Sequence, residues 1–214
     1  RARAESERLL LASGQDWDPA LGEVVPVPAG AINEPEWAQR MQAADVSVVA
    51  VYGSSILREP WLAAFPRAMV NMHLGLSPYY RGAGTNFWPL YYAEPEYVGA
   101  TIHVIDPGVD SGPILRHARP WIYPDDTPHS IGNQAIRAGA RALSRSLHEY
   151  VTGQIAPVPQ WEVPNSRYFK NRDFNPAILR TFLSRWEAGL LPRALSDFQE
   201  RRNRVRLVRE LSHE

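Results

Sequence analysis

The segment Ala68-Met69-Val70-Asn71-Met72-His73 is the most informative part of this sequence. Its apolar residues predict a buried strand, in which Asn71 and His73 lie on one face while Val70 and Met72 lie on the other. Two polar side chains on one face of an apolar strand are costly unless that face opens into a site. Binding sites of open α/β sheets lie at the ends of such strands, so we expect Asn71 and His73 to belong to an active site.

Strand and helix patterns alternate on either side of this segment. One helix is predicted to start with Asn33 as its cap, and another with Thr127, where Pro128 follows the cap. The alternation predicts an α/β fold with a mostly parallel open sheet and helices on both faces. Further strands are predicted at 22–28, 46–51, 98–105 and 114–123, and further helices at 3–12 and 59–65.

A second polar segment is the glycine-rich loop Asp106-Pro107-Gly108-Val109-Asp110-Ser111-Gly112-Pro113. An Asn donor, a titratable His and an Asp that can orient the His suit the addition of a nucleophile to a carbonyl group. Asn71 would stabilise the oxyanion, and His73 with Asp110 would move protons. Since the sequence has no Gly-x-Ser-x-Gly motif, direct attack by the acceptor is favoured over a covalent enzyme intermediate.

Each of these residues also has a structural interpretation. Asn71 could satisfy loop backbone at the strand end, His73 could be a hydrogen-bonded structural histidine, and Asp110 could stabilise its turn. We expect His103 to contribute to stability more than to chemistry. No metal is expected, because metal-ligand spacing is missing among His103, His117, His129 and His148.

Composition and charge narrow the function classes. The 214 residues are 44% hydrophobic and 21% charged, which is typical of a globular domain and excludes a collagen-like or mainly disordered chain. A formal net charge of 0 gives no overall attraction to nucleic acid or anionic membranes. The lack of cysteine excludes disulfides, iron–sulfur clusters and a thiol nucleophile. With no membrane-spanning apolar run and no signal peptide, we expect a cytoplasmic protein without membrane or nucleic-acid partners.

The character of the sequence changes near Pro157. This change predicts a catalytic domain at 1–156 and a C-terminal extended segment with a helical tail at 157–214. The tail ends in an Arg-rich stretch at 201–209, which we expect to be a solvated helix face.

One tail helix carries an apolar stripe with a four-residue repeat. The stripe must cover the main domain or meet the same helix of a second subunit. We expect a homodimer, since two-fold dimers are the commonest oligomers. The stripe consists of Ile178, Phe182, Trp186 and Leu190.

Short motifs follow one another in close succession: Val70-Asn71-Met72-His73-Leu74-Gly75-Leu76-Ser77-Pro78, Arg81-Gly82, Gly99-Ala100-Thr101-Ile102-His103 and Val109-Asp110-Ser111-Gly112-Pro113-Ile114. Together they resemble the folate-dependent formyltransferases, which include glycinamide ribonucleotide, methionyl-tRNA and amino-sugar N-formyltransferases. The resemblance covers about residues 45 to 150, and the combination of motifs is specific. Tyr52-Gly53-Ser54-Ser55-Ile56-Leu57 also matches the loop whose backbone holds the pterin ring of the formyl donor in that family.

The resemblance implies an enzyme with the Rossmann-like formyltransferase fold and 10-formyltetrahydrofolate as co-substrate. It implies that Asn71 and protonated His73 stabilise a tetrahedral oxyanion, and that Asp110 raises the pKa of His73. The residues expected to bind the folate are Gly53, Ser54, Ser55, Ile56, Leu57, Asp106, Val109 and Gly112. Those expected to bind the acceptor are Tyr80, Arg81, Gly82, Asn86 and Trp88, although core packing would use Trp88 equally well.

The leading functional expectation is formyl transfer to the primary amine of a small acceptor, with a nucleotide-linked amino sugar favoured. The alternatives are a formyltetrahydrofolate hydrolase, a glycinamide ribonucleotide or methionyl-tRNA formyltransferase, and a non-catalytic folate-fold binding module. The resemblance also implies an earlier strand, glycine turn and helix, so we expect this sequence to begin near the end of that unit. It implies a C-terminal β-barrel for methionyl-tRNA formyltransferases, whereas this tail is predicted to be helical from Asn175.

Overall fold

The structure is a computed structural model, and it describes residues 5–8, 11 and 22–210. Its strands are β1 (Val49–Val51), β2 (Met69–His73), β3 (Tyr80–Gly82), β4 (Ala100–Val104), β5 (Ile114–Ala118) and β6 (Arg167–Phe169). Its helices from residue 22 onward are α1 (Pro35–Ala43), α2 (Glu59–Ala64), α3 (Phe87–Tyr91), α4 (Pro128–Val151), α5 (Pro176–Glu187), α6 (Leu190–Ala194) and α7 (Phe198–Arg204).

The central sheet contains β1, β2, β4 and β5 in that order, and β3 and β6 form a separate parallel pair. β1 runs parallel to β2, whereas the β2–β4 and β4–β5 pairs are antiparallel. The expected open α/β sheet is confirmed, and β1, β2 and β5 run in one direction, while β4 between β2 and β5 is reversed. The tight loop 106–113 joins β4 to β5, and so short a connection produces an antiparallel hairpin.

Helices cover both faces of the sheet, as expected. Met72 of β2 belongs to a buried cluster on one face, and Leu147 of α4 packs against that cluster. Met69 belongs to a cluster on the other face, together with Trp61 of α2. Each large apolar side chain buried in this way contributes about 1.5–3 kcal/mol. β2 is therefore held from both sides.

The two predicted helix starts have different outcomes. At Thr127 the prediction is confirmed, because its Oγ1 accepts a hydrogen bond of 3.0 Å from the Ser130 N–H. Asn33 is not a helix cap. Its Nδ2 donates to the carbonyl oxygen of Ile56 at 2.8 Å, and its Oδ1 accepts from the Arg58 N–H at 2.8 Å. Asn33 therefore stabilises the loop after β1 instead of the start of α1.

Four of the five predicted strands are confirmed in shorter form, but the segment 22–28 has no regular structure. Pro26 and Pro28 lack the backbone N–H that a strand ladder requires, which explains the error. Of the helix predicted at 3–12, residues 5–8 are helical, and all but residue 11 of the rest lie outside the described residues. No helix in the described part of the chain is long and apolar enough to cross a membrane.

The tail packs against the chain's own core. Phe182 of α5 is 2% exposed and shares a buried cluster with Val98 and with Ile131 of α4. Trp186 packs against the same cluster. The apolar stripe thus covers the main domain, which was the alternative to an intersubunit contact, and it offers no basis for a homodimer. The homodimer and the division of the chain after residue 156 stay predictions.

The Arg-rich end is not simply a solvated face. Arg202 is 4% exposed and lies 3.4 Å from a carboxylate oxygen of Glu210. Glu210 also accepts two hydrogen bonds of 2.8 Å from Arg119, which follows β5. Arg201 pairs with the buried Glu96 at 2.6 Å. These ion pairs hold the end of the tail against the sheet, because the buried arginines need charged partners.

Candidate active site

The polar end of β2 lies between β1 and β4, so neighbours on both sides flank its side chains. Asn71 is half-buried, and the side chain of His73 is buried. Strand alternation places both on the face opposite Met72. The Nε2 atom of His73 lies 3.3 Å from the carbonyl oxygen of Tyr80, the first residue of β3.

The loop 106–113 brings Asp110 onto this face. Because β4 is antiparallel to β2, the loop leaves the sheet near Met69 and folds back over the face to reach His73. Nδ1 of His73 lies 3.4 Å from Oδ1 of Asp110, and the Gly82 N–H donates to Oδ2 at 3.1 Å. The structure therefore brings together Asn71, His73 and Asp110, as predicted.

Asp110 itself has an unusual backbone. Its φ of 49° lies in the left-handed region. For a residue with a Cβ this conformation costs about 1–2 kcal/mol, so the surrounding contacts must hold it. Asp106 supplies some of these contacts, since its Oδ1 accepts from the Gly108 N–H at 3.1 Å and from the Ser111 hydroxyl at 2.8 Å.

His103 belongs to the same cluster, although the sequence reasoning assigned it to stability. It pairs with Asn71 across β2 and β4, and its Nε2 lies 3.1 Å from Nδ2 of Asn71 and 3.8 Å from Oδ1 of Asp110. Its Nδ1 lies 3.0 Å from the carbonyl oxygen of Val104, which makes Nδ1 the donor and leaves Nε2 to accept from Asn71. The alternation of Thr101 and His103 along the strand was the only sequence signal, and it needed the β2–β4 register to become useful.

The ionisation of the cluster differs from the expectation. Burial lowers the pKa of His73 below its ordinary 6.5, and this effect outweighs the raising effect of the Asp110 charge. Asp110 therefore raises the pKa of His73 as expected, but the net shift is downward because burial has the larger effect. For Asp110, burial alone would raise the pKa, but the adjacent His103, the charge of His73 when it is protonated and the Gly82 N–H hold it below its ordinary value. At neutral pH the site holds a neutral imidazole beside a carboxylate.

This arrangement can perform carbonyl chemistry. A neutral His73 can take a proton from an attacking nucleophile, and Asp110 would stabilise the resulting imidazolium. Asn71 uses one N–H on His103 and keeps the second N–H for a developing oxyanion. Among the described residues, no group of three His, Asp or Glu side chains could hold a metal ion.

Arg81 adds positive charge to the site. Its charge lowers the pKa of His73, and its Nε is buried without a hydrogen-bond partner in the described part of the chain. It forms no ion pair with any described carboxylate. A guanidinium placed in this way suits an anionic group on a bound molecule.

The predicted donor loop lies open after β1. Gly53 has a φ of 63°, and Ile56 is 62% exposed. The hydroxyl of Ser54 donates to the carbonyl oxygen of Ser55 at 2.8 Å. Leu57 packs against the buried cluster that contains Ala38 of α1 and Trp61 of α2. The loop therefore offers backbone and the exposed side chains of Tyr52 and Ile56 to a ligand.

Of the three folate-binding residues predicted after β4, one is exposed and two stabilise the loop itself. Val109 is exposed at the tip of the loop. Asp106 binds the loop's own groups, as described above. Gly112 lies so close to Val104 that a Cβ would collide with the Val104 carbonyl oxygen. Gly112 and Asp106 therefore shape the loop, and only Val109 presents a side chain to solvent.

The predicted acceptor residues are mostly interior. Tyr80 and Trp88 are each 2% exposed, the Tyr80 hydroxyl donates to Glu94, and Trp88 stacks on Phe169 with ring centroids 4.2 Å apart. Asn86 accepts a hydrogen bond of 2.8 Å at Oδ1 from the Gly99 N–H. Three of the predicted acceptor residues reach the cluster of His73 and Asp110: Tyr80 through its carbonyl oxygen, Gly82 through its N–H and Arg81 through its charge.

Known proteins resemble this chain in sequence and in fold. The model of a family described as Formyl transferase matches residues 30–147. The methionyl-tRNA formyltransferase of Myxococcus xanthus is 36% identical over 121 residues, which is 56% of this chain and 38% of that protein. Glycinamide ribonucleotide transformylase 1 of Symbiobacterium toebii superposes with a TM-score of 0.55 at 26% identity, over 73% of this chain and 74% of that one.

A further structure shares the fold. It is the formyltransferase PseJ of Anoxybacillus kamchatkensis, in complex with tetrahydrofolate and UDP-4,6-dideoxy-4-formamido-L-AltNAc. It has a TM-score of 0.54 at 22% identity and covers 71% of this chain and 72% of that one. This chain spans about two fifths of the length of the curated relatives it matches. Since the family model covers more than half of the sequence, this chain belongs to the formyl transferase family.

Proposed function

We propose that this chain transfers a formyl group from 10-formyltetrahydrofolate to the primary amine of a small acceptor. The observation that carries the proposal is the convergence of Asn71, His73 and Asp110 on one face of the sheet. Family membership supports the reaction class. The ligands of the PseJ structure, a folate and a formamido sugar, support the same pair of substrates.

In the proposed reaction the acceptor nitrogen bonds to the formyl carbon, the bond from that carbon to the donor nitrogen breaks, and one proton passes from the acceptor to the donor nitrogen. The free N–H of Asn71 would donate to the formyl oxygen as charge develops on it. His73 would hold the proton in transit, and Asp110 would stabilise the charged imidazole.

The acceptor that we propose is a nucleotide-linked amino sugar. Arg81 is the supporting residue, because its guanidinium has no described carboxylate partner and would suit a phosphate. The zero net charge gives no overall attraction to a tRNA, whose binding depends on many phosphate contacts.

The test is to incubate the chain with 10-formyltetrahydrofolate and a panel of amines, and to identify formylated products by mass spectrometry. The panel contains nucleotide-linked amino sugars, glycinamide ribonucleotide and methionyl-tRNA. Asn71→Ala should lower turnover by at least ~100-fold, since it removes an oxyanion donor. His129→Ala is the matched control, because His129 is an exposed histidine at the start of α4.

Each outcome has a distinct meaning. A formylated amino sugar supports the full proposal, and formylation of another amine retains the reaction but rejects the acceptor. Release of formate without any formylated amine indicates a hydrolase. Folate binding without turnover on any acceptor rejects formyl transfer and favours a binding module.

A further inference from the structure

Gln160 lies in an extended segment after α4, beyond the residues that the family model matches. This segment is fixed to the start of β5. The Ile114 N–H donates to the Val158 carbonyl oxygen at 2.7 Å, and the Val158 N–H donates back to Ile114 at 2.8 Å. Gln160 follows two residues later, so its position relative to the sheet is well defined.

The side-chain amide of Gln160 reaches the loop that carries Asp110. Its Nε2 donates to the carbonyl oxygen of Asp110 at 2.8 Å and to that of Gly112 at 2.9 Å. These two bonds use both N–H groups of the amide. The orientation of the amide follows from its partners, because the flipped form would place Oε1 against two carbonyl oxygens.

The oxygen of the same amide lacks a hydrogen-bond donor among the described residues. Oε1 of Gln160 is buried and has no hydrogen-bond partner in the described part of the chain. Burying an unpaired acceptor is unfavourable, so the two donor bonds must account for an amide at this place. The amide acts as a clamp on the two carbonyl groups that flank Ser111.

The clamp lies where the loop needs support. Asp110 has a positive φ, and Gly112 is pressed against the backbone of Val104. Fixing the carbonyl groups on either side of Ser111 restricts the rotation of the peptide units that set the direction of the Asp110 side chain. That side chain must face His73 and His103 for the cluster to form.

We propose that Gln160 is a positioning residue, which holds the Asp110 loop so that the Asp110 carboxylate faces His73. It acts through the backbone of Asp110 and touches no substrate. This role rests on the proposed function only in one respect, which is that formyl transfer is the reaction that the positioned carboxylate serves. It also makes the extended segment after α4 a structural part of the site.

The test compares Gln160→Met with its matched control Gln154→Met in the full chain. Methionine has nearly the length of glutamine but no N–H donor, and Gln154 is exposed in the turn after α4. The NMR shifts of the His73 ring nitrogens are measured as a function of pH, which gives the pKa of His73 in each variant. In Gln160→Met the pKa of His73 should fall by about half a unit or more, since the Asp110 charge that raises it moves away. Under conditions where the parent transfers formyl groups, kcat should fall at least ~10-fold with KM nearly unchanged.

The control should match the parent in both measurements. A folded Gln160→Met with an unchanged His73 pKa and unchanged ring-nitrogen shifts overturns the proposal, even if its thermal stability falls. If Gln160→Met does not fold, Gln160→Asn carries the test, because its shorter amide cannot reach both carbonyl groups. An inactive parent would reject the proposed function, yet the NMR signals would still decide the role of Gln160.

Discussion

Nδ1 of His73 lies 3.4 Å from Oδ1 of Asp110, and the two side chains are only 8% and 15% exposed. The distance exceeds the ~2.8 Å of a charge-assisted hydrogen bond, which fits a neutral imidazole beside a carboxylate. When His73 gains a proton, the pair becomes an ion pair in a largely water-free place and should shorten. The cluster is thus arranged to accept a proton during a reaction and to release it afterwards.

This relationship predicts the effect of Asp110→Asn on His73. Removing the carboxylate charge removes the main influence that raises the pKa of His73, so that pKa should fall further below 6.5. NMR titration of the His73 ring measures it directly. Asp125→Asn is the control, since Asp125 is exposed before α4. An unchanged or higher pKa of His73 in Asp110→Asn would mean that the two side chains do not interact in solution.

His103 should matter for chemistry as well as for stability. Nε2 of His103 accepts from Nδ2 of Asn71, and this bond orients the amide that would donate to the oxyanion. His103→Ala should therefore lower kcat by ~10-fold or more while KM for the folate changes little. Steady-state kinetics on the folded variant provides the measurement. A variant that loses stability but keeps the parent's kcat would return His103 to a purely structural role.

The meeting of Asn71, His73 and Asp110 could be predicted because the signal of each residue is local. Asn71 and His73 stand two residues apart in an apolar strand, and Asp110 stands in a short glycine loop. Alternation within a strand and the chemistry of turns need no knowledge of the rest of the chain. The same is true of the cap at Thr127, whose partner is three residues away.

What could not be predicted depends on contacts between distant segments. His103 faces Asn71 only because β4 is antiparallel to β2 with that register. The net shift of the pKa of His73 depends on burial, which a sequence motif does not report. Trp88 was open to both interpretations, and its stacking on Phe169 makes it interior. Asn33, which looked like a helix cap, binds a loop more than twenty residues away.

The donor loop can be tested through Ile56. This side chain is 62% exposed, so Ile56→Glu should leave the thermal midpoint nearly unchanged. If the folate lies between this loop and Val109, replacing the apolar contact should weaken its affinity by about 10-fold or more. Titration with tetrahydrofolate measures the affinity. Val151→Glu, at an exposed position at the end of α4, is the control. Equal folate affinity in parent and Ile56→Glu would place the donor elsewhere.

The tail should behave as part of the protomer's core. Phe182→Ala removes a ring that is 2% exposed and should lower the free energy of unfolding by about 3–5 kcal/mol. The neighbouring Leu183→Ala, at a 45% exposed position, should cost much less. Denaturant unfolding gives both values, and light scattering gives the mass. A parent dimer that becomes a folded monomer on Phe182→Glu would instead assign this ring to an interface.

His117 makes the docking of the tail sensitive to acid. The backbone N–H of His117 donates to the Val208 carbonyl oxygen at 2.8 Å. The backbone N–H of Val208 donates to the ring Nδ1 of His117 at 2.9 Å. Nε2 lies 2.8 Å from the carbonyl oxygen of Ser77, so the neutral ring satisfies both partners. Burial lowers the pKa of His117 to about 4, and the Arg119 charge acts in the same direction while Glu210 opposes it.

The direction of the pH effect follows from this shift. Between pH 6.5 and about 4 the unfolded chain binds a proton on His117 that the folded chain does not. The contribution of His117 to stability is therefore complete above 6.5 and lost as pH falls to 4, and it amounts to about 3 kcal/mol. His117→Asn keeps an acceptor near Val208 but cannot titrate, so its free energy of unfolding should depend less on pH in this window. Urea unfolding at several pH values, with the exposed His148→Asn as control, isolates the difference, because contributions from other groups cancel between parent and variant. Parallel pH profiles for the parent and His117→Asn would show that this histidine is protonated equally in the folded and unfolded chains, and would remove the proposed link between acid and tail release.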